Sequence, residues 1–409
     1  MMSFFVESEE YFSTPFNERS EKYKANEESI CGRLMFSRGN FFDISSADER
    51  IQLFVPKELL HAGKNDLKMG NIVKVSGVRT KSKAGKDIIS IHSYNILSRA
   101  YRHVKMNDEY AELHPFLDAV RNLENQEKII QQGLLIQSMQ NFFQEKGIIP
   151  IYTSPIENME TGLTASAFYL KNDGRMLRRE FEIPSRAYLL FGRDVYQLGT
   201  VFRNHGTTSK NRNDFFVANI YLFYKDINDC KKFCVDFFNS LRKQVNMQEL
   251  TLPEADFRSR VAVIGEQSVR SQWKAVKKIT EEPIIYKGFS PEMVPFGQLE
   301  NNNEDQVKDF ALVWQGRTIL KATEEITDYF VQRERYRKIY GENFNQKLSD
   351  GEKRYLSLLQ YGIPPFVSIT ISVDLLSQML LRIPNVNSLR PTVTQRISQS
   401  QTQGRQRGD

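Results

Sequence analysis

The stretch "VFRNHGTTSKNRNDFF", residues 201–216, decides how the rest of this chain is read. An apolar run, "DVYQLGTVF", ends just before Arg203, and a second, "DFFVANIYLFY", begins at Asp214. Small and polar residues fill the space between. Two long strands joined by a polar loop read as an antiparallel hairpin. The loop sets Arg203 on one arm opposite Asp214 and Phe215 on the other. His205 sits in the loop itself, with no carboxylate fixed beside it in sequence, and reads as a solvated histidine.

Working outward, the sequence alternates between short strands and helices without a repeated strand–helix unit. This argues against a doubly wound sheet. Upstream, "QEKIIQQGLLIQSMQNFFQEKG" has apolar residues at helical spacing and a stop at Gly147. "IIPIYTSP" then reads as a strand ending at Pro155. "RREFEIPSRAYLLFG" reads as a strand followed by a short helix. Downstream, "INDCKKFCVDFFNSLRKQV" is an amphipathic helix. "DFALVWQGRTILKAT" reads as another hairpin and "TEEITDYFVQRERYRKIYGEN" as a charged helix. "FVSITISVDLLSQMLLRI" runs from strand into helix.

The first hundred residues have a different texture. "ICGRLMFS", "FFDIS", "RIQLFV", "NIVKVSGV" and "DIISIHSYNIL" alternate and are rich in β-branched residues, with "PKELLHAG" as a short helix after the third. Five short strands with one helix midway match a small closed barrel of the oligonucleotide-binding type. Phe41 and Phe42 offer stacking surfaces for bases. Arg33, Lys74, Arg79, Lys81, Lys83 and Lys86 add positive charge. The domain reading is a polar extension over 1–28, a barrel over 30–97, a linker over 98–128, a larger domain over 129–390 and a basic disordered tail over 391–409.

The chain has 409 residues, 40% of them hydrophobic and 26% charged, with a formal net charge of +6. That length calls for more than one core, and the mild positive charge permits nucleic-acid binding without requiring it. The three cysteines, Cys31, Cys230 and Cys234, are too sparse for a disulfide framework and suggest a reducing compartment. Cys230 and Cys234 read as ordinary helix cysteines, so no metal site is expected. The acidic N-terminal stretch resembles neither a signal peptide nor an anchor, and no segment reaches transmembrane length. The expected location is the cytoplasm. There is no phosphate loop, dinucleotide fingerprint or metalloprotease helix.

Several of these strings together resemble the lysyl-tRNA synthetases, a branch of the class II aminoacyl-tRNA synthetases. "GRLM", "RIQLFVPKELL", "GNIVKVSG" and "TKSKAGKDIISIHSYNILSRAYR" resemble the anticodon-binding barrel. "GIIPIYTSP", "VFRNHGTTSKNRNDFF" and "LLQYGIPPFVSITISVDLL" resemble the three class II motifs. The resemblance implies an α+β chain: an N-terminal OB-fold barrel, then a class II synthetase-like antiparallel sheet flanked by helices. It also implies a homodimer built on the first motif, and a transfer RNA or tRNA-like partner touched by Arg33, Phe41 and Gln52.

The resemblance further implies that Arg203 grips a nucleotide α-phosphate, that Phe215 stacks on adenine, and that Asp214 holds a position where the family has glutamate. A guanidinium suits the first role because it donates paired hydrogen bonds to phosphate oxygens. Tyr188 and Glu325 match substrate-contact positions. Other matching positions are altered. His205 and Asn219 replace glutamates, and Arg186 inverts the charge of the glutamate that binds the substrate ammonium. Ala311 and Thr318 replace metal carboxylates. Leu375 replaces the arginine that completes the nucleotide clamp, and Ser368, Thr370 and Ser372 stand where glycines are usual. Two expectations of different class follow. One is an RNA-binding or regulatory relative that has lost lysine activation. The other is an ATP-dependent ligase that activates a different acid and passes it to an amine, protein or RNA. ATP and magnesium enter only under the second.

Overall fold

The computed structural model describes residues 27–46, 49–62, 67–101, 123–158, 166–171, 173–204, 212–261, 269–301, 303–383 and 386–389. The readings of the N-terminal extension, most of the linker, His205 and the C-terminal tail lie outside the described residues. Two compact units divide the chain, residues 1–121 and 122–409.

The first unit is a closed barrel. Strands β1 (Glu27–Arg38), β2 (Phe41–Ser45), β3 (Arg50–Phe54), β4 (Ile72–Lys81) and β5 (Asp87–Ser98) pair in the order β1-β2-β3-β5-β4, with β4 returning to β1. Helix α1 (Lys57–Ala62) lies between β3 and β4 in sequence. Side chains alternate across each strand, so Phe42, Ile44, Ile51, Leu53, Val73, Val75, Ile89 and Ile91 fill the interior. The barrel is tight where β4 meets β5. A Cβ at Gly77 would strike the Ser90 carbonyl oxygen and come within 2.8 Å of Ile91 Cα, so only glycine fits.

The second unit is built on an eight-stranded sheet. Its longer helices are α2 (Leu123–Glu145), α4 (Ile227–Gln244), α6 (Val269–Lys278), α7 (Tyr329–Tyr340), α9 (Asp350–Leu359) and α10 (Val373–Leu380). The shorter ones are α3 (Glu182–Ser185), α5 (Phe257–Val261) and α8 (Phe344–Lys347). Strand order is β11-β12-β15-β16-β17-β10-β9-β6. These are Glu254–Asp256, Ile284–Lys287, Asp309–Trp314, Arg317–Glu324, Phe366–Ser372, Asp214–Phe223, Val195–Phe202 and Ile149–Pro150. The remaining strands form two separate small pairs: β7 (Ile156–Glu157) with β8 (Met176–Leu177), and β13 (Leu299–Glu300) with β14 (Asn303–Val307). The centre of the large sheet is antiparallel, and both end pairings, β6–β9 and β11–β12, are parallel.

One face of the sheet is apolar. Ala218, Ile220, Leu222, Leu320, Ala322, Val367, Ile369 and Ile371 pack under α2, α4 and α10. Phe143 of α2 anchors this layer. Its ring stacks on Phe237 of α4 at 5.4 Å and meets Tyr196 at 4.7 Å. Cys230 and Cys234 belong to the same core. The opposite face mixes polar residues, Gln197, Asn219, Thr370 and Lys321 among them, with two further apolar clusters around Tyr221 and Phe366 and around Tyr286 and Val313; its polar part is the floor of the candidate site.

Three local readings need correction. "IIPIYTSP" forms only the short strand Ile149–Pro150: Ile149 N and Ile151 N donate to Asp194 O and Tyr196 O on either side of Pro150, and Thr153 then turns to side-chain bonding with Gln197. "RREFE" is not a strand. Arg178 ties it down through its side chain, donating to the Thr200 and Thr153 carbonyls. The charged helix starts at Tyr329 rather than at "TEE". Asp328 caps it by accepting from Val331 N, while residues up to Glu324 stay in β16.

Candidate functional site

The hairpin at residues 201–216 is formed by β9 and β10, and Arg203 lies just past the end of β9, its N–H donating to Asn213 O at 2.7 Å. Beside it is a cavity of about 310 Å³ lined by Arg203, Phe215, Thr318, Thr370, Ser372 and Leu375, together with Arg212, Val217, Asp374 and Val386. The structure therefore gathers Arg203, Phe215, Thr318 and Leu375 around one space. The Arg203 guanidinium lies 4.9 Å from the centre of the Phe215 ring and donates to Arg179 O at 3.3 Å. Burial lowers its hold on its proton, and the nearby Glu180 partly opposes this. Asp214 accepts from buried Arg212 at 3.2 Å.

Two charged residues of this cavity, Arg212 and Asp374, escaped the sequence reading. Arg212 looked like one more polar loop residue. Asp374 looked like part of an apolar helix, yet it joins three elements. Its Oδ2 accepts from Phe216 N at 3.0 Å and its Oδ1 from Gln132 Nε2 at 3.3 Å. Its position at the first turn of a helix that follows directly on a strand is the signal that was available.

Strand register places the next set. Asn219 pairs with Thr370, Thr370 with Lys321, and Lys321 with Ala311. These four residues form one row across β10, β17, β16 and β15, about 4.8 Å apart from strand to strand. The row holds one positive charge and no carboxylate. Lys321 was not anticipated. Its ammonium approaches Asp309 Oδ2 at 3.7 Å and lies 5.3 Å from the Phe289 ring centre. Asp309 is fully enclosed, and neither carboxylate oxygen has a hydrogen-bond partner. Burial pushes its carboxyl up to about 7, against the pull of Lys321.

A third cluster surrounds Arg186, in the turn Arg186–Phe191 that follows α3. Only 1% of its side chain is exposed. It donates to Glu182 Oε1 at 3.1 Å and to Glu325 Oε2 at 3.5 Å. The guanidinium carbon lies 3.7 Å from the Tyr355 ring centre and 4.3 Å from that of Phe296. Burial opposes the charge on Arg186, but Glu325 and Glu182 outweigh it and its proton is held more tightly than usual. Glu325 is fully buried, which lifts its carboxyl to about 7 in spite of Arg186. Tyr188 is not part of this cluster; its hydroxyl donates to Tyr152 O at 3.1 Å.

On the barrel, Arg33, Phe41 and Gln52 occupy the outer face of β1, β2 and β3. Phe41 is exposed and packs on Phe54 at 5.4 Å. Gln52 donates to Asp43 Oδ1 at 3.3 Å, and Arg33 donates to Gly70 O at 2.8 Å. Exposed Phe36, Arg38 and Arg50 lie on the same strands. Phe42 is a correction: it alternates inward and is 4% exposed, so no base can stack on it. Arg79 is another. Its guanidinium is clamped between Glu28 at 2.8 Å and Glu49 at 2.6 Å, which neutralises it.

The comparisons with known proteins fit this geometry. The profile described as tRNA synthetases class II (D, K and N) matches residues 107–391. This chain belongs to the class II tRNA synthetases of that group. The lysine–tRNA ligase of Staphylococcus epidermidis is 24% identical, over 91% of this chain and 88% of that protein. Those of Staphylococcus haemolyticus and Oceanobacillus iheyensis are 23% and 22% identical, with coverage of 91% and 89% of this chain and 88% and 87% of theirs. The chain is thus a distant lysyl-tRNA synthetase-like protein. Among the described residues, no helix is long and apolar enough to cross a membrane.

Magnesium does not fit the class II site of this synthetase-like chain as built. The row that contains Ala311 and Asn219 presents an ammonium, and Thr318 offers the cavity a hydroxyl. A hard divalent cation takes anionic oxygen ligands and is repelled by a fixed lysine.

Proposed function

We propose that this synthetase-like chain binds transfer RNA or a tRNA-like element through its barrel and does not activate lysine. The observation that carries this reading is the row Asn219–Thr370–Lys321–Ala311. Adenylate formation needs fixed positive charge and metal ligands aimed at a phosphate as charge builds on it, and losing one such group costs about 10²–10³ in rate. Here Leu375 lines the cavity in place of a cation, and the row offers no carboxylate to a metal. Changes at several members of one unit leave little for the remainder to do.

The barrel supports the RNA half of the reading. Phe41 gives a base an exposed ring, and its cross-strand partner Arg38 sets a positive charge beside it. The reading includes a homodimer. Ile149, Tyr152, Leu190, Phe191, Tyr224 and Tyr361 are exposed apolar or aromatic residues around edge strand β6 and the turn Arg186–Phe191. An exposed patch of this kind marks an association surface. The alternative reading, a ligase for another acid, rests on Arg203 and Phe215 at the cavity.

The test of the RNA reading is affinity for transfer RNA at two salt concentrations. Binding should weaken on the order of tenfold between about 50 and about 200 mM salt. Phe41→Ala should cost about 1–3 kcal/mol in affinity. Binding unaffected by either change would remove the barrel from the account.

A further inference from the structure

The Arg186 cluster has the form of a binding site whose ligand is part of the chain. Two carboxylates, Glu182 and Glu325, face one guanidinium at 3.1 and 3.5 Å. Two aromatic rings, Tyr355 and Phe296, each lie within 4.3 Å of its central carbon. Acidic groups combined with aromatic faces are how proteins recognise organic cations. The box is also poorly matched to the side chain it holds. Arg186 Nε and Nη1 are buried without hydrogen-bond partners, whereas side chains held only for packing usually have their donors satisfied. Glu325 is only 2% exposed, whereas the Glu182 side chain is 30% exposed, so Glu182 is the member of the pair that borders solvent.

We propose that Arg186 is a tethered plug: it fills a cation box made by Glu182, Glu325, Tyr355 and Phe296, and the box takes a free alkylguanidinium or alkylammonium once the plug is removed. A cation attached to the chain is present at an effective concentration that dissolved amines at metabolite levels do not match. The intact protein therefore excludes cationic amino acids from this position. An anionic ligand fares no better, because the two carboxylates already outnumber the guanidinium. This inference rests on the cluster alone and holds whether or not the barrel binds RNA.

The experiment uses the full chain and its Arg186→Ala variant, with thermal unfolding followed at pH 8. Ethylguanidinium restores the removed atoms, and ethylurea is its neutral counterpart. Millimolar ethylguanidinium should raise the variant's Tm saturably by several degrees, and ethylurea should not. The wild type should respond to neither of these, nor to free lysine. Adding Glu325→Gln to the variant should abolish the response. If Arg186→Ala accumulates unfolded, the measure becomes the yield of folded protein on refolding. A higher yield with ethylguanidinium than with ethylurea supports the plug. Equal effects of the two compounds on the variant, or a lysine-dependent rise in wild-type Tm, would overturn it.

Discussion

Lys321 and Asp309 show how much a single position can hide. In "DFALVWQGRTILKAT" they are two charges twelve residues apart in a predicted hairpin. Only the register, with a shift between Leu312 and Val313, puts Lys321 beside Ala311 and lets its ammonium reach Asp309. Arg186 could be singled out by resemblance, but its partner Glu325 is 139 positions away and nothing local names it. Phe41 and Phe42 illustrate another limit: period-two alternation says that one faces in, and adjacent identical residues do not say which. Asp309 carries a prediction of its own. Its folded carboxyl keeps its proton up to about 7, whereas an unfolded aspartate releases it near about 3.9. Between those values the native state binds more protons, so this residue's contribution to stability is lost as pH rises. Asp309→Asn should raise Tm more at pH 8 than at pH 5. An equal effect at both pH values would mean that Asp309 is ionised throughout.

Elements were the most legible scale. Helix α4 announces itself by apolar spacing and by Asp226, whose carboxylate accepts from Asn228 N and Asp229 N at 2.8 Å. Asp226→Ala should therefore cost about 1 kcal/mol, read as a shift in the denaturant midpoint. No change would mean that water or another group caps the helix equally well. The barrel was equally plain, because five alternating runs with one intervening helix admit few closures. The failures share a cause. "RREFE" and "IIPIYTSP" have strand-like composition, but partners elsewhere in the chain fix them: the Arg178 side chain donates to the Thr200 and Thr153 carbonyls, and Ile149 pairs in parallel with Val195. Parallel pairing at a sheet edge has no nearby turn to reveal it.

For the whole molecule, the exposed patch around Phe191 and Tyr224 predicts that the protein sediments as a dimer. Phe191→Asp should shift it toward monomer, and a wild-type monomer at micromolar concentration would remove the interface. The order of elements, from the barrel to the strand–helix β17–α10 late in the chain, was readable as a resemblance because long-range order of elements persists where side chains differ. What could not be read was which altered positions face each other, since that depends on register across four strands. The central claim concerns that row and the cavity beside it. Its most direct test is lysine-dependent ATP–pyrophosphate exchange by the purified full-length protein with magnesium present. The account predicts exchange no faster than a control without lysine, and Leu375→Arg alone should not raise it. Exchange at the pace of an ordinary lysine–tRNA ligase would contradict it.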